Sequence, residues 1–567
     1  MAFQRVWHKS YAPGVPAEID IQKITMGEAL IRTARTFPDH TGFIYMGRRI
    51  IYRELDALVN RFARALSALG VKKGDGVAML LPNLPQLIIA NHATHRLGAV
   101  TVMNNPLYTE EELAHQLADS EARHLVTLDL LLPRALSLKG RTNIETIVTC
   151  HINDYLPFPK KQLFPLVKKG MYRKITPQKG VYEFLDLVGQ YPSDPVADRS
   201  RWEDAGAIIY TGGTTGLSKG AVLTHANLSS VVQIFRAWFP DLKDGEVHVV
   251  GTYPIFHSAG YVVSQNLIIW SGWTSTIIPR PEPGILRETV SKYRPDFLPG
   301  VASIFVGLLA DPEFRKMDLS FIRGFFTGAA PISADTVRDL RTLTGKDVYD
   351  NYGMTENVAF ATGMPWGGKR KTGTVGVPFP GTDVKIVDVE RGETEMKTGE
   401  PGEICIKGPQ VMAGYYKQSD ETALAIRDGW LYTGDIGMMD EEGHLSVVDR
   451  KKDVIVSGGY NIYPKEIDEV LFRHEKVLEA CTIGVTDAYR GESVKAYIVL
   501  REGVQMTGDE VICYCREHLA AYKVPRAVAF IDSLPKSAVG KVLRRELRDR
   551  EAKTKSEEAG SGEKGQS

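Results

Sequence analysis

Eleven residues, Tyr210-Thr-Gly-Gly-Thr-Thr-Gly-Leu-Ser-Lys-Gly220, constrain this chain more than any other stretch. They follow an apolar run, Ala205 to Ile209, that reads as a buried strand. From Thr211 to Gly220 there are four glycines, three threonines, a serine and a lysine. Without a Cβ, glycine lets backbone N–H groups approach a polyanion closely. The hydroxyls of Thr211, Thr214, Thr215 and Ser218 add donors, and Lys219 adds a point charge suited to phosphate. The natural cargo of such a turn is a nucleoside triphosphate. It is not a Walker A loop, because Ser218 precedes Lys219 and Gly220 follows it, leaving no hydroxyl after the lysine. A flexible surface loop is the alternative that composition alone leaves open.

A chain of 567 residues holds more than one domain. Its formal net charge of zero removes the electrostatic case for bulk nucleic-acid binding. Five cysteines, at 150, 405, 481, 513 and 515, are odd in number and lack metal-site spacing, which predicts reduced thiols in a cytosolic protein. Cys513 and Cys515 sit two apart on an expected helix and so face different sides. Met1 to His8 lacks the apolar core of a signal peptide. The apolar stretch Phe297 to Ala310 is too short, and too broken by Pro299 and Gly300, to span a bilayer. A soluble protein is expected.

Arg53 to Leu69 predicts a helix, with Leu55, Leu58, Phe62, Leu66 and Leu69 at three- and four-residue steps and Gly70 beyond its end. Val77 to Leu81 and Ala99 to Met103 predict short buried strands on either side of another helix. Such alternation up to about residue 350 argues for parallel sheets covered by helices. After Val375, short strands between glycine turns suggest a small β-barrel or meander. After Asp449 a compact α+β unit is expected: a helix opened by Pro464, strands Ala480–Val485 and Val494–Leu500, and a helix opened by the capping box Thr507-Gly-Asp-Glu510 and ending near Ala521. The fold class is thus α/β and α+β multidomain. The expected bounds are a large N-terminal domain over 1–448, a hinge over 449–452, a small mobile domain over 453–550 and a disordered Lys/Glu/Gly/Ser-rich tail over 551–567. Asp154 to Lys174 interleaves basic with aromatic and aliphatic residues, a pattern suited to an anionic membrane surface. The blander alternative is a solvated helix–loop whose apolar side packs inward.

Further segments join the glycine loop: Gly328-Ala-Ala-Pro331, Asp350-Asn-Tyr-Gly-Met-Thr-Glu356, Tyr432-Thr-Gly-Asp435, Asp449-Arg-Lys-Lys-Asp453, Ser457-Gly-Gly-Tyr-Asn461 and Leu534-Pro-Lys-Ser-Ala-Val-Gly-Lys541. Each alone fits an ordinary turn. In this order and spacing they resemble the adenylate-forming superfamily of acyl- and aryl-CoA synthetases, luciferases and peptide-synthetase adenylation domains. The likeness runs over the whole chain up to the tail. Asn105-Pro-Leu-Tyr-Thr109, Leu156-Pro-Phe-Pro-Lys160 and Gly408-Pro-Gln-Val-Met412 bring it nearest to bacterial long-chain fatty acid–CoA ligases. Two departures stand out. Ser218 occupies a position that is usually proline, which predicts a more mobile loop, and Ser457-Gly458-Gly459 replaces a Val/Lys-Ser-Gly order.

The resemblance implies activation of a fatty acid by ATP to acyl-AMP, then transfer to coenzyme A, with Mg²⁺ as the metal. Medium-chain or aryl acids, or loading of a carrier protein, are the alternatives, and a catalytically silent nucleotide-binding protein is the contrasting class. Carried over residue by residue, Thr211, Gly212, Gly213, Thr214, Thr215, Gly216 and Lys219 would cradle the phosphates. Thr211 and Glu356 would hold Mg²⁺. Gly328, Ala329, Asp350, Asn351, Tyr352 and Gly353 would enclose the adenine, and Thr355 would reach the α-phosphate. Asp435 would accept the ribose hydroxyls, with Arg450 behind it. Lys541 would bridge the α-phosphate and the carboxylate, which requires the small domain to pivot near Asp449 and Lys452. Gly458 and Gly459 would line the coenzyme A channel, and His257, Tyr261 and Gly300 the acyl pocket. Tyr261 reads equally well as a core tyrosine. A fatty acid is the implied partner and nucleic acid is excluded. A homodimer and peripheral contact with the inner face of a membrane stay open for an otherwise cytoplasmic enzyme.

Overall fold

A computed structural model describes residues 5–211, 218–328, 332–457, 460–487, 489–536 and 542–562, with the side chains of 460, 461 and 554–562 excepted. Its largest element is a nine-stranded sheet. In spatial order its strands are Val377–Pro378, Thr362–Gly363, Val348–Tyr352, Gly324–Thr327, Phe297–Pro299, His248–Gly251, Thr274–Ile277, Thr41–Tyr45 and Arg48–Ile51. The pairings from Thr41–Tyr45 through Val348–Tyr352 are parallel, so these strands present their carboxyl ends along one edge. An eight-stranded sheet runs Gly414–Tyr415, Gly220–Thr224, Ala205–Tyr210, Val100–Met103, Gly76–Leu80, His124–Leu128, Thr146–Cys150 and Val181–Glu183.

Helices fill the space beside these sheets as the apolar spacing requires. On Tyr52–Ala68 the buried face is Leu55, Val59, Phe62 and Leu66, and Gly70 beyond its end takes φ +96°, a value that favours glycine. Helix Pro85–Arg96 is buried at every position, including Asn91, His92 and His95. An all-round buried helix belongs to the inside of a large core rather than to its surface.

The meander expected after Val375 is a five-stranded sheet, Asp383–Val387, Gly402–Lys407, Trp430–Met439 and Ile426–Arg427, with Leu445–Arg450 on Trp430–Met439. The described pairings do not close it into a ring. The ten-residue strand Trp430–Met439 shifts register between Ile436 and Gly437, and different parts of it serve different partners.

Beyond Asp453 a separate five-stranded sheet packs helices Pro464–Phe472 and Gly508–His518 over its own core of Ile455, Ile467, Leu471, Val494 and Val511. The capping box is present, with Thr507 receiving Glu510 N and Glu510 receiving Thr507 N; that helix stops at His518, short of Ala521. The last helix runs Arg544–Gly562, so the expected disordered tail is helical through Gly562. Glu551 is tied to Lys495 and Tyr497, which anchors the helix where the expected tail begins. The cysteines are unpaired. Cys150, Cys405, Cys481 and Cys515 are buried and Cys513 is exposed, so the two helical cysteines do face opposite sides.

A candidate nucleotide and acyl site at the strand ends

The glycine–threonine loop is carried by a β-hairpin. Ala205–Tyr210 and Gly220–Thr224 pair antiparallel, Tyr210 faces Gly220, and Thr211 N donates to Lys219 O at 2.9 Å to close the neck. A Walker A loop opens a helix and borrows its N-terminal dipole. This hairpin leads directly into the strand Gly220–Thr224, so no helix dipole stands at its end, and Lys219 is the cation it presents among the described residues. Gly212, Gly213, Thr214, Thr215 and Gly216 themselves lie outside the described residues.

The strand after the loop recruits the rest. Gly414–Tyr415 pairs with it, Tyr415 opposite Ala221. The Tyr415 ring lies 4.8 Å beneath Lys219 Nζ, and its hydroxyl donates to Glu356 Oε1 at 2.8 Å. Lys219 also pairs with Glu421 of the helix Ser419–Ala425. Burial pushes the Glu356 carboxyl above the usual range, and the Tyr415 hydrogen bond pulls it back. Met412 N donates to Glu356 O at 2.8 Å, fixing the backbone as well. Sequence reasoning missed Tyr415 and Glu421. Both reach the site through strand pairing some 200 residues apart in sequence, and no local motif marks them.

While residues 212–217 lie outside the described residues, Ser218, at the end of the loop expected to be mobile, is itself tethered. His115 Nε2 donates to its carbonyl at 3.0 Å and Gln116 Nε2 donates to its hydroxyl at 3.1 Å, both from helix Glu110–Asp119. Hydrogen bonds to a neighbouring helix thus hold the position where proline would stiffen the backbone.

Along the parallel strand ends, Asn351 Nδ2 donates to Thr327 O at 3.3 Å and to Tyr349 O at 3.1 Å, joining the strand before Gly328 to the strand bearing Asp350 to Tyr352. Ala329 lies outside the described residues. Burial pushes the Asp350 carboxyl up to about 7. Gly353 is required by packing, because a Cβ there would sit 2.2 Å from Ala359 O. Thr355 and Glu356 are buried in the turn that follows.

Tyr352 Oη donates to Asp435 Oδ2 at 2.8 Å, and Arg450 Nε lies 3.3 Å from Asp435 Oδ1. Asp435 and Arg450 are register partners across two antiparallel strands. Glu403 supports both: it accepts from Gly434 N at 3.1 Å and from Lys451 Nζ at 2.9 Å. Asp449 caps across the proposed hinge, accepting from Arg450 N at 2.8 Å and from Lys465 N at 2.7 Å at the start of helix Pro464–Phe472. Lys452, three residues after Asp449, sits on the surface. Lys541, Gly458 and Gly459 lie outside the described residues.

The acyl-side residues sit where the nine-stranded sheet reverses its winding. From His248–Gly251 the chain moves to a neighbour on one side, Thr274–Ile277, and then to Phe297–Pro299 on the other. The crevice outside the strand ends at such a reversal is the usual ligand site of open α/β sheets. Tyr253 to His257 leave the first strand there, and Gly300 leaves the last. Tyr253 Oη donates to Gly300 O at 3.3 Å and to Phe326 O at 3.2 Å. His257 is half-buried and caps the turn Ser258–Gly260. Tyr261 takes its core alternative: fully buried, it donates to Asn91 Oδ1 at 2.8 Å and lies 3.2 Å from His95 Nε2. At Gly300 an added Cβ would meet Phe305 and Ile304 at 3.1 and 3.2 Å, so the space left by this glycine is taken by those side chains.

Among the described residues no group of three or more His, Cys, Asp or Glu is placed to hold a metal ion. A hard cation that keeps its waters and bridges phosphates needs only one or two protein oxygens, and the buried Glu356 carboxylate fits that demand.

Residues 30–416 match the model of AMP-binding enzymes and residues 466–541 that of the AMP-binding enzyme C-terminal domain. The chain is 38% identical over 556 residues to a long-chain-fatty-acid–CoA ligase of Bacillus subtilis (strain 168), covering 97% of this chain and 99% of that one. It is 39% identical over 566 residues to a ligase of the same name from Yersinia pestis, at 97% and 99% coverage. Among solved structures, ATP-bound MatB from Rhodopseudomonas palustris aligns with a TM-score of 0.83 at 29% identity, over 93% of this chain and 99% of that one.

Proposed function

The chain belongs to the AMP-binding enzyme family, and on that premise we propose that it is an AMP-forming long-chain fatty acid–CoA ligase. It joins a fatty acid to ATP, releasing pyrophosphate and forming acyl-AMP, then passes the acyl group to the coenzyme A thiol and releases AMP. The observation that carries this reading is that two side-chain clusters, Lys219–Tyr415–Glu356 and Tyr352–Asp435–Arg450, lie close enough for Arg450 and Asp435 to act on the Glu356 carboxyl.

A substrate carboxylate is already a nucleophile, so no protein base is required, and positioning with charge stabilisation is what the protein must supply. Mg²⁺, when bound, neutralises phosphate charge and orients the triphosphate. Lys219 and the hydroxyls of the hairpin loop hold the β- and γ-phosphates. Asp435 accepts from the ribose hydroxyls; the Tyr352 and Arg450 contacts keep its carboxylate oriented for that task. Glu356, oriented by Tyr415, is the metal-facing carboxylate, and Thr355 addresses the α-phosphate. Asp350 to Gly353 with Gly328 and Ala329 form the adenine wall. His257 and Gly300 border the acyl end. Lys541 brings a cation to the reacting atoms from the small C-terminal unit, and Gly458 and Gly459 guide the thiol. The bounds 1–448, 449–452 and 453–550 divide the work, with Asp449 and Lys452 at the pivot.

ATP–pyrophosphate exchange with a panel of acids tests the reading. Exchange with C12–C18 acids is expected. Exchange confined to benzoate-like acids would replace the substrate, and no exchange with any acid would leave a silent nucleotide binder.

No helix among the described residues is long and apolar enough to cross a membrane. Peripheral contact with a bilayer belongs to the same reading, since a long-chain acid partitions into lipid.

A further inference from the structure

Between Tyr155 and Tyr182 the chain carries seven lysine and arginine side chains and no acid. None of the seven forms an ion pair among the described residues. In the same segment the apolar residues divide. Phe164 packs inward, whereas Phe158, Leu163, Leu166, Val167 and Met171 are exposed, Phe158 at 83%, Leu166 at 67% and Val167 at 72%. Leu163, Leu166 and Val167 share one arc of helix Lys160–Val167, and Asn153 Nδ2 holds the helix by Lys161 O at 3.0 Å. Met46, also exposed, precedes Gly47, whose turn lies beside Pro157. The inward-packing alternative therefore fails for this face: apolar side chains stand in solvent, ringed by unpaired cations.

The root of the segment is braced from the same turn as the acyl-side motif. Gln86 Nε2 donates to His151 O at 2.8 Å and to Asp154 Oδ2 at 3.0 Å. Three residues earlier, Asn83 Nδ2 donates to Tyr253 O at 3.0 Å and Asn83 Oδ1 accepts from Ile255 N at 2.8 Å.

We propose that residues 158–174 form a docking surface for an anionic lipid bilayer, set beside the acyl end of the cleft. Leu163, Leu166, Val167 and Phe158 enter the headgroup–acyl boundary while the lysine stems snorkel, keeping their ammonium groups at the level of the lipid phosphates. A neutral chain overall gains its attraction from this local charge alone. The orientation toward the acyl end rests on the fatty-acid reading above; the docking itself does not.

Co-sedimentation of the full chain with phosphatidylglycerol/phosphatidylcholine vesicles tests the surface. The wild type is expected to bind these and to bind pure phosphatidylcholine at least tenfold more weakly. A Lys168→Glu, Lys169→Glu, Lys174→Glu variant should lose affinity on the order of a hundredfold, since each surface cation contributes about fivefold. A Leu166→Ser, Val167→Ser variant should lose about tenfold. Exchange activity with dissolved octanoate should be unchanged in both, showing that the fold and cleft are intact. Binding by either variant at the wild-type level, indifference of the wild type to lipid charge, or a change of oligomeric state in the apolar variant would overturn the proposal, the last by showing that the face joins two copies. Vesicle binding needs no catalysis, so a protein that binds vesicles but activates no fatty acid would strike only the substrate reading.

Discussion

The two ends of the proposed site are built differently. At the nucleotide end, charged and hydroxyl side chains from separate sheets are paired with one another: Lys219 with Glu421, Glu356 with Tyr415, Asp435 with Tyr352 and Arg450. At the acyl end, Tyr253, Ile255 and Tyr261 are buried, and their polar atoms are spent on backbone carbonyls and core amides. The first end is preorganised for charge and the second for shape. Damage at the nucleotide end should therefore slow every acid alike, while damage at the acyl end should leave ATP handling intact.

The largest effect expected is outside both ends. Lys541→Ala should lower acyl-AMP formation by about 10²–10³, the scale of one preorganised donor, and spare thioester formation from supplied acyl-AMP. Equal losses in the two assays would remove the two-orientation assignment. Next, Glu356→Gln should cut exchange about 10- to 100-fold by the same proportion for octanoate and palmitate; a loss that depended on chain length would break the division between the ends. Tyr261→Phe removes a hydroxyl bonded within the core and should cost about 1 kcal/mol in urea unfolding, with the acid profile and the KM for ATP unchanged. A shifted chain-length profile would instead make Tyr261 a gate. Gln116→Leu, which frees the Ser218 hydroxyl, should raise the KM for ATP about threefold to tenfold, the worth of one hydrogen bond, for all acids.

A separate effect is on the pH dependence of stability. The Asp350 carboxyl is raised from an ordinary 3.8 to about 7 in the fold. The folded chain then holds a proton that the unfolded chain releases across that interval, so this group's contribution is fully present below about pH 4 and is lost as pH rises toward 7. Asp350→Asn should remove that slope, making the variant more stable relative to wild type at pH 8 than at pH 5. Parallel slopes in the two proteins would show that Asp350 ionises normally.

Much of this was legible in the chain. The buried strand leading into Tyr210, the helix over Tyr52–Ala68 and the capping box at Thr507 follow from local periodicity and local hydrogen bonds. Asp435 and Arg450 are fifteen residues apart, and the turn between their strands brings them together. What stayed hidden depends on distant pairing. Tyr415 and Glu421 meet the loop through the edge of the eight-stranded sheet, and His115 and Gln116 reach Ser218 from a helix a hundred residues earlier. The hairpin nature of the loop was hidden too, because a glycine-rich run after a strand reads the same before a helix as before a strand. The helix found in place of a disordered tail continues from Arg544 and is tied down by Glu551, whose partners Lys495 and Tyr497 lie far earlier in the chain.

The burial of four thiols has a practical corollary. Cys513, on the outward face of helix Gly508–His518, is the exposed thiol among the five. A maleimide dye would therefore attach to the unmutated protein at one address, on the unit beyond Asp453. Paired with a fluorescent nucleotide in the cleft, it would make the protein its own ruler, turning any swing about Asp449 into a change in energy transfer that can be timed turnover by turnover.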